Sequence, residues 1–228
     1  MKKSNRIIYL LFLFVLGVSM MSCRDDDDDN PFNPNDSSLA KISFVSNLAN
    51  EEIIDFDINS KDYVEVDFGD GKKIKYEKPS NSNEIKISSK VKGKEIKIYA
   101  PNANSITKFE ANNMKIASID VKNAIELDNL DLYKNELTSL DISKNTKLTY
   151  IDYSINKIKQ SANNAILNAL PKRVEADNAV VWAYDNYNNT EQNDKPTQQA
   201  IDAAVAKFWN VNIDDYDNGK SVRSIQHR

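Results

Sequence analysis

The sequence predicts a β-rich α/β chain: a short repeat solenoid with a small antiparallel β module before it and a β-α-β cap after it. Three observations predict this class. Apolar residues recur in columns 21 positions apart from Ile106 onward, short alternating runs precede them, and two helix-like segments around VVWAY follow them.

The first 22 residues read as a targeting segment. Lys2, Lys3 and Arg6 make a basic start, and Ile7 to Val18 make an apolar core of about a dozen residues. A helix that crosses a bilayer needs about 20, so residues 1–22 fit a secretory signal, with a membrane-anchoring helix as the alternative. Cys23 is the only cysteine of the chain and cannot close an internal disulfide. It is therefore buried, free, joined to another chain, or modified.

Its position, directly after the apolar core, favours modification. The run Met20-Met21-Ser22-Cys23 resembles the lipobox of bacterial lipoproteins, with Met in place of the usual leucine and at the middle position. That resemblance implies cleavage before Cys23 and its acylation. Each buried methylene contributes about 0.8 kcal/mol and one acyl chain anchors only marginally. The two or three chains of a lipoprotein cysteine therefore imply permanent attachment to the outer membrane.

Asp25 to Asp29 repel one another and suit neither helix nor strand. Residues 23–38 accordingly read as an acidic flexible tether, which Pro31 to Ser38 continue with loop residues. An acidic cluster just after a lipidated cysteine resembles the signal that places some Gram-negative lipoproteins on the cell surface. The implied location is an outer membrane lipoprotein facing outward.

Removing residues 1–22 takes three of the 30 basic residues and none of the 34 acidic ones, leaving a net charge of −7. Nucleic acid, whose recognition rests on basic patches, is disfavoured as a partner. Adsorption to anionic lipid is disfavoured for the same reason.

Residues 39–100 read as the small β module. KISFV, IIDFDI, YVEVDF, KKIKYE, EIKI and EIKIYA are strand-like, and Gly69-Asp70-Gly71 marks a hairpin. VEVDFGDGKK resembles the D-F-G-D-G turn of polycystic-kidney-type β-domains. Asp67 and Asp70 fit a plain turn, with calcium or sugar binding left open.

Residues 101–160 carry the repeats. Ile106, Leu127 and Leu148 form one column, Phe109, Leu130 and Ile151 a second, and Ile116, Leu137 and Ile158 a third. Asn135 and Asn156 share another. Leu127, Leu130, Leu132, Asn135 and Leu137 match L-x-x-L-x-L-x-x-N-x-L, the leucine-rich-repeat signature. The repeats resemble the short ones of internalin-like bacterial surface proteins, well over residues 106–160 and faintly over 85–105. In L-x-L both leucines point inward and the middle residue outward. Asn at the turn is placed to satisfy backbone groups that stacking would bury.

Residues 161–216 read as a cap and 217–228 as a polar tail. SANNAILNALPKR predicts a helix that Pro171 stops, with Ile166, Leu167 and Leu170 buried. VVWAY (180–184) predicts a strand and PTQQAIDAAVAKFWN a second helix, with Ile201, Val205, Phe208 and Trp209 on one face. Residues 211–213 suit a last parallel strand, and Trp182 and Trp209 both read as core. Asp214 to Asp217 have too few correctly spaced oxygens for an EF-hand loop; other calcium binding there is left open.

Little points to catalysis. His227 is the only histidine and lies in the predicted tail, which argues against Ser-His or Cys-His pairs and against a zinc cluster. No Gly-rich phosphate loop is present. The sequence predicts no enzyme, no cofactor and no metal site, although paired carboxylates remain open in so acidic a chain. What the repeats offer is a surface. Glu110, Asp131 and Asp152 fall on one outward column, beside Tyr133 and Tyr150, and Asp120 and Asp141 begin a second. One reading is a soluble face balanced by Lys108, Lys115 and Lys134. The other is a binding strip of Glu110, Asp131, Tyr133, Tyr150 and Asp152, since aromatics favour interfaces. The resemblance implies a protein ligand, or alternatively a glycan, as in an accessory lipoprotein of a glycan-uptake system.

Overall fold

The computed structural model describes residues 36, 39, 41–186, 192–217 and 220–226, with backbone alone from residue 215 onward. All belong to one compact unit, Asn33–Arg228. Residues 1–22, Cys23 and the aspartate run lie outside the described residues, as does His227.

The chain begins with strands whose alternation sets their inner face. In β1 (Ile42–Ser46) and β2 (Ile53–Ser60), Ile42, Phe44, Ile54, Phe56 and Ile58 are buried while the residues between them are not. The same alternation builds β3 (Val64–Asp67), β5 (Glu84–Lys90) and β6 (Glu95–Tyr99), with β4 (Lys73–Tyr76) more exposed. The repeat region adds β7 (Ile106–Glu110), β8 (Ile116–Asp120), β9 (Asn129–Asp131) and β10 (Tyr150–Asp152). Helix α1 (Gln160–Ala169), β11 (Ala179–Asp185), helix α2 (Gln198–Val205), β12 (Trp209–Asp217) and β13 (Lys220–Gln226) complete the order.

These strands form two sheets. One is five-stranded, ordered β4-β3-β6-β1-β8, and antiparallel throughout. The other is eight-stranded and mixed, ordered β13-β12-β11-β10-β9-β7-β2-β5. Its middle run from β7 to β12 is parallel, and both ends are antiparallel.

This architecture corrects the predicted class. The protein is mostly β-sheet with two helices among its described residues, not a leucine-rich-repeat solenoid between a separate β module and a cap. The early strands are distributed between both sheets: β2 pairs with β7, and β1 pairs with β8. Left alone, β7 at the start of the repeat region would be an open edge with unpaired backbone groups. The strands before it close that edge directly, so one continuous core runs through both sheets. Phe44, Phe56 and Phe109 meet at its centre with ring centroids 5.7–5.8 Å apart, joining a β1 side chain to those of β2 and β7. Each such pair is worth about 0.5–1.5 kcal/mol beyond burial.

Across the large sheet, register aligns one buried apolar row: Ile85, Ile58, Phe109, Leu130, Ile151, Val181 and Val211. Steps from β7 to β10 are 21 residues, matching the sequence columns, because Lys108 pairs with Asn129 and Asn129 with Tyr150. From β10 to β12 the step lengthens to 30, as Tyr150 pairs with Val180 and Val180 with Asn210. A helix accounts for each longer step. Ile166 and Leu167 of α1 and Leu170 at its C-cap cover the core, as do Ala200, Ile201 and Ala204 of α2.

Three local features differ from expectation. Helix α2 ends at Val205, so Phe208 and Trp209 do not continue its face. Phe208 turns left-handed at φ 68° and Trp209 opens β12, where it is 1% exposed and its Nε1 donates to Pro171 O at 2.7 Å. A left-handed residue just past a helix end is a common terminator. The stretch read as a tail contains β13, paired antiparallel with β12. Asp214 is buried and the strand runs on through Asp217, so this acidic stretch is extended sheet rather than a loop.

Candidate functional site

The face of the large sheet turned away from the apolar row, its outer face, is built from the residues that alternate with that row, of which Asp152 and Asn212 are themselves buried. Two outward rows cross it. One reads Asp57, Glu110, Asp131, Asp152, Trp182 and Asn212; its neighbour reads Asn59, Lys108, Asn129, Tyr150, Val180 and Asn210. Register therefore brings Glu110, Asp131 and Asp152 onto adjacent strands, with Tyr150 one row away. Tyr133 follows Asp131 by two residues and is half-buried. Asp120 lies on β8 in the other sheet, with Lys122 Nζ at 2.8 Å.

The acids of the strip differ in environment. Glu110 pairs with Lys108 at 2.5 Å, and Asp57 with Lys86 at 3.7 Å. That ion pair with Glu110 raises the Lys108 pKa despite partial burial. Asp131 and Asp152 have no ion pair among the described residues. Each instead holds its own turn: Asp131 Oδ1 accepts from Tyr133 N–H at 3.1 Å, and Asp152 Oδ1 from Ser154 N–H at 2.9 Å and Ser154 Oγ–H at 2.7 Å. Asp120 and Asp141 accept likewise from Lys122 and Ser143.

Burial raises the Asp131 pKa, with Glu110 adding to it. Asp152 is 9% exposed, and burial pushes its carboxyl up to about 7 despite the Ser154 hydrogen bonds; Asp131 and Asp185 add repulsion. The Tyr150 hydroxyl is likewise held protonated, mainly by burial and also by Asp152, Asp131 and Glu110. Two of the balancing lysines expected from sequence, Lys115 and Lys134, are elsewhere, around a groove at the turns.

Several features of this face are not evident from sequence. Trp182 is half-buried on the outer row beside Asp152, not in the core, because it alternates with buried Val181 and Ala183. Asn59, Asn112 and Asn129 each place a buried side-chain Oδ1 without a hydrogen-bond partner. Such acceptors are rare in folded proteins. The signal for Trp182 lies in the strict alternation of VVWAY, once its inner residues are assigned.

Asp67 and Asp70 serve their turn. Asp67 Oδ1 accepts from Gly69 and Gly71 N–H at 2.8 and 2.9 Å, and Asp70 Oδ1 from Lys72 N–H at 3.1 Å. Among the described residues no cluster of three or more His, Cys, Asp or Glu is arranged to hold a metal ion.

No protein-family model matches the chain, and no curated protein matches it either.

Proposed function

We propose that this chain is a non-catalytic lipoprotein, anchored in the outer membrane through acylated Cys23, that displays the outer face of its large sheet to a protein ligand. One observation carries the reading: unpartnered acceptors of Asn59, Asn112 and Asn129 lie on the same face as Asp131, Asp152 and the aromatic rings of Tyr150 and Trp182. A face rich in acceptors and poor in unpaired cations suits a partner that brings donors, such as exposed Lys, Arg or backbone N–H groups. Half-buried aromatic rings supply contact area at low entropic cost.

A second reading is glycan binding. Trp182 pairs with Asp152 on the adjacent strand and Tyr150 lies two residues before Asp152 on its own strand, and rings beside acceptors suit a polyhydroxylated ligand. Cross-linking the full chain on intact cells, alongside a glycan array, separates the two. Capture of a protein lost in the Tyr150→Ala/Trp182→Ala double variant supports the first, and saturable glycan binding with no such protein supports the second. Replacing Cys23 with Ser should abolish acyl labelling. Protease added to intact cells should digest the chain; protection until the outer membrane is opened would contradict surface display.

A further inference from the structure

The carboxylates of the outer face are of two kinds. Glu110 is held by Lys108, whereas Asp131 and Asp152, in register on adjacent strands, have no ion pair among the described residues. Lys108 also acts on Asp131, but its ammonium is committed to Glu110. Neighbouring strands lie about 4.8 Å apart, so two acids stand side by side without a cation of their own. Such a pair repels unless a proton or a positive group joins it.

Each acid spends one oxygen on its own turn. Asp152 Oδ1 takes both Ser154 donors, and Oδ2 takes none among the described residues. At 9% exposure, Asp152 is thus a nine-tenths buried carboxyl with a vacant acceptor. Charged side chains are almost never buried so far without a partner. Asp131 Oδ1 accepts from Tyr133 N–H, with the Asn112 amide beside the carboxylate.

Two aromatic residues adjoin the pair. Trp182 lies opposite Asp152 on β11 and Tyr150 precedes it by two residues on β10, both half-buried on the same face. Burial holds the Tyr150 hydroxyl protonated, so this ring adds no charge. Two acids beside two rings suit a flat, delocalised cation. A guanidinium forks its donors onto separate oxygens and stacks on ring faces, which a compact ammonium does less well.

On the reading of the outer face as the ligand surface, we propose that the protein ligand inserts an arginine here, its guanidinium bridging Asp131 and Asp152 and packing on Tyr150 and Trp182. Binding then requires Asp152 to be ionised. Burial, Asp131 on β9 and Asp185 on β11 oppose that ionisation up to about pH 7, against the Ser154 hydrogen bonds. Glu110 lies one strand beyond Asp131, and Asp214 faces Asp185 from β12. Tyr150 and Tyr153 stay neutral throughout this range.

The test titrates the full chain in detergent with arginine blocked at both ends, read by amide NMR shifts and the Trp182 indole signal. Blocked citrulline serves as the neutral isostere and blocked lysine as the ammonium. Arginine should shift residues 131, 150, 152 and 182 saturably, with a dissociation constant on the order of 1 mM. Lysine should bind more weakly, and citrulline should leave these signals in place. Arginine affinity should rise about tenfold from pH 6 to pH 8, in step with the ionised fraction of Asp152. Asp152→Asn keeps the acceptor for Ser154; it should weaken arginine at pH 8 about fivefold, abolish the pH dependence and leave the melting temperature no lower. Tyr150→Ala should weaken arginine, and Tyr150→Phe, which keeps the ring, should not. Equal affinity for lysine, binding of citrulline, or unchanged arginine affinity in Asp152→Asn would each overturn the proposal. If intact cells still yield a protein lost in the Tyr150→Ala/Trp182→Ala variant, only the arginine falls; with no such protein, the ligand surface falls too.

Discussion

Asn135 and Asn156, one 21-residue step apart, make equivalent hydrogen bonds to successive turns. Asn135 Nδ2 donates to Ala111 O and Leu132 O, and its Oδ1 accepts from Ile116 N–H. Asn156 Nδ2 donates to Leu132 O and Tyr153 O, and its Oδ1 accepts from Leu137 N–H. Asn193 makes the next rung, donating to Tyr153 O and Ala183 O and accepting from Ile158 N–H.

This ladder should dominate the stability of the repeat region. Asn156→Ala leaves the buried Leu137 N–H without its acceptor and should cost about 2–4 kcal/mol in urea unfolding. Asn156→Asp should cost more, because an oxygen would then face the carbonyls of Leu132, Tyr153 and, at 3.3 Å, Ser154. Asn193→Ala should match Asn156→Ala, even though it falls outside the 21-residue period.

Stability should fall with rising pH through Asp152. The unfolded carboxyl loses its proton near pH 4, while burial holds it in the folded chain to about pH 7. Unfolding therefore releases a proton between these values, and the stability present below about pH 4 is lost progressively up to about pH 7. The full effect is on the order of a few kcal/mol. Asp152→Asn keeps the acceptor for Ser154 and should flatten the profile between pH 4 and 7, gaining stability at pH 8. A variant that keeps the wild-type slope would contradict this.

Two glycines of one turn should differ in tolerance. Gly69 has φ 103°, and a Cβ there would lie 2.5 Å from Gly93 Cα; Gly71 has φ 78° and open space around it. Gly71→Ala should cost about 1 kcal/mol. Gly69→Ala should cost about 3 kcal/mol or more, since backbone must also move. Paired melting curves of the two variants check this.

Much of the large sheet is legible in sequence, and the reason is local. Alternation in IIDFDI, LDL and YIDY sets which side chains face inward, and the 21-residue columns give the register from Lys108 to Tyr150 directly. What is not legible is pairing between distant strands. Nothing in β1 or β2 announces that Phe44 faces Phe56 and Phe109, or that β2 closes the β7 edge. Asn193 escapes notice because the insertion that holds α1 puts it 37 positions after Asn156, well off the 21-residue period. Trp182 escapes because a large apolar residue suggests core until its neighbours Val181 and Ala183 claim the inner face. The carboxylates of the strip are legible as a column, but their duty in holding turns emerges only from the distances.

The central claim is that recognition uses the outer face bearing Asp131, Tyr150, Asp152 and Trp182. A photo-cross-linking residue placed at Tyr150 or Trp182 in the full chain on intact cells, with Lys72 of the exposed hairpin as control position, tests it most directly. The account predicts one discrete cross-linked partner from positions 150 and 182 that is absent from position 72. The same partner captured equally at position 72, or none at 150 and 182, would contradict it.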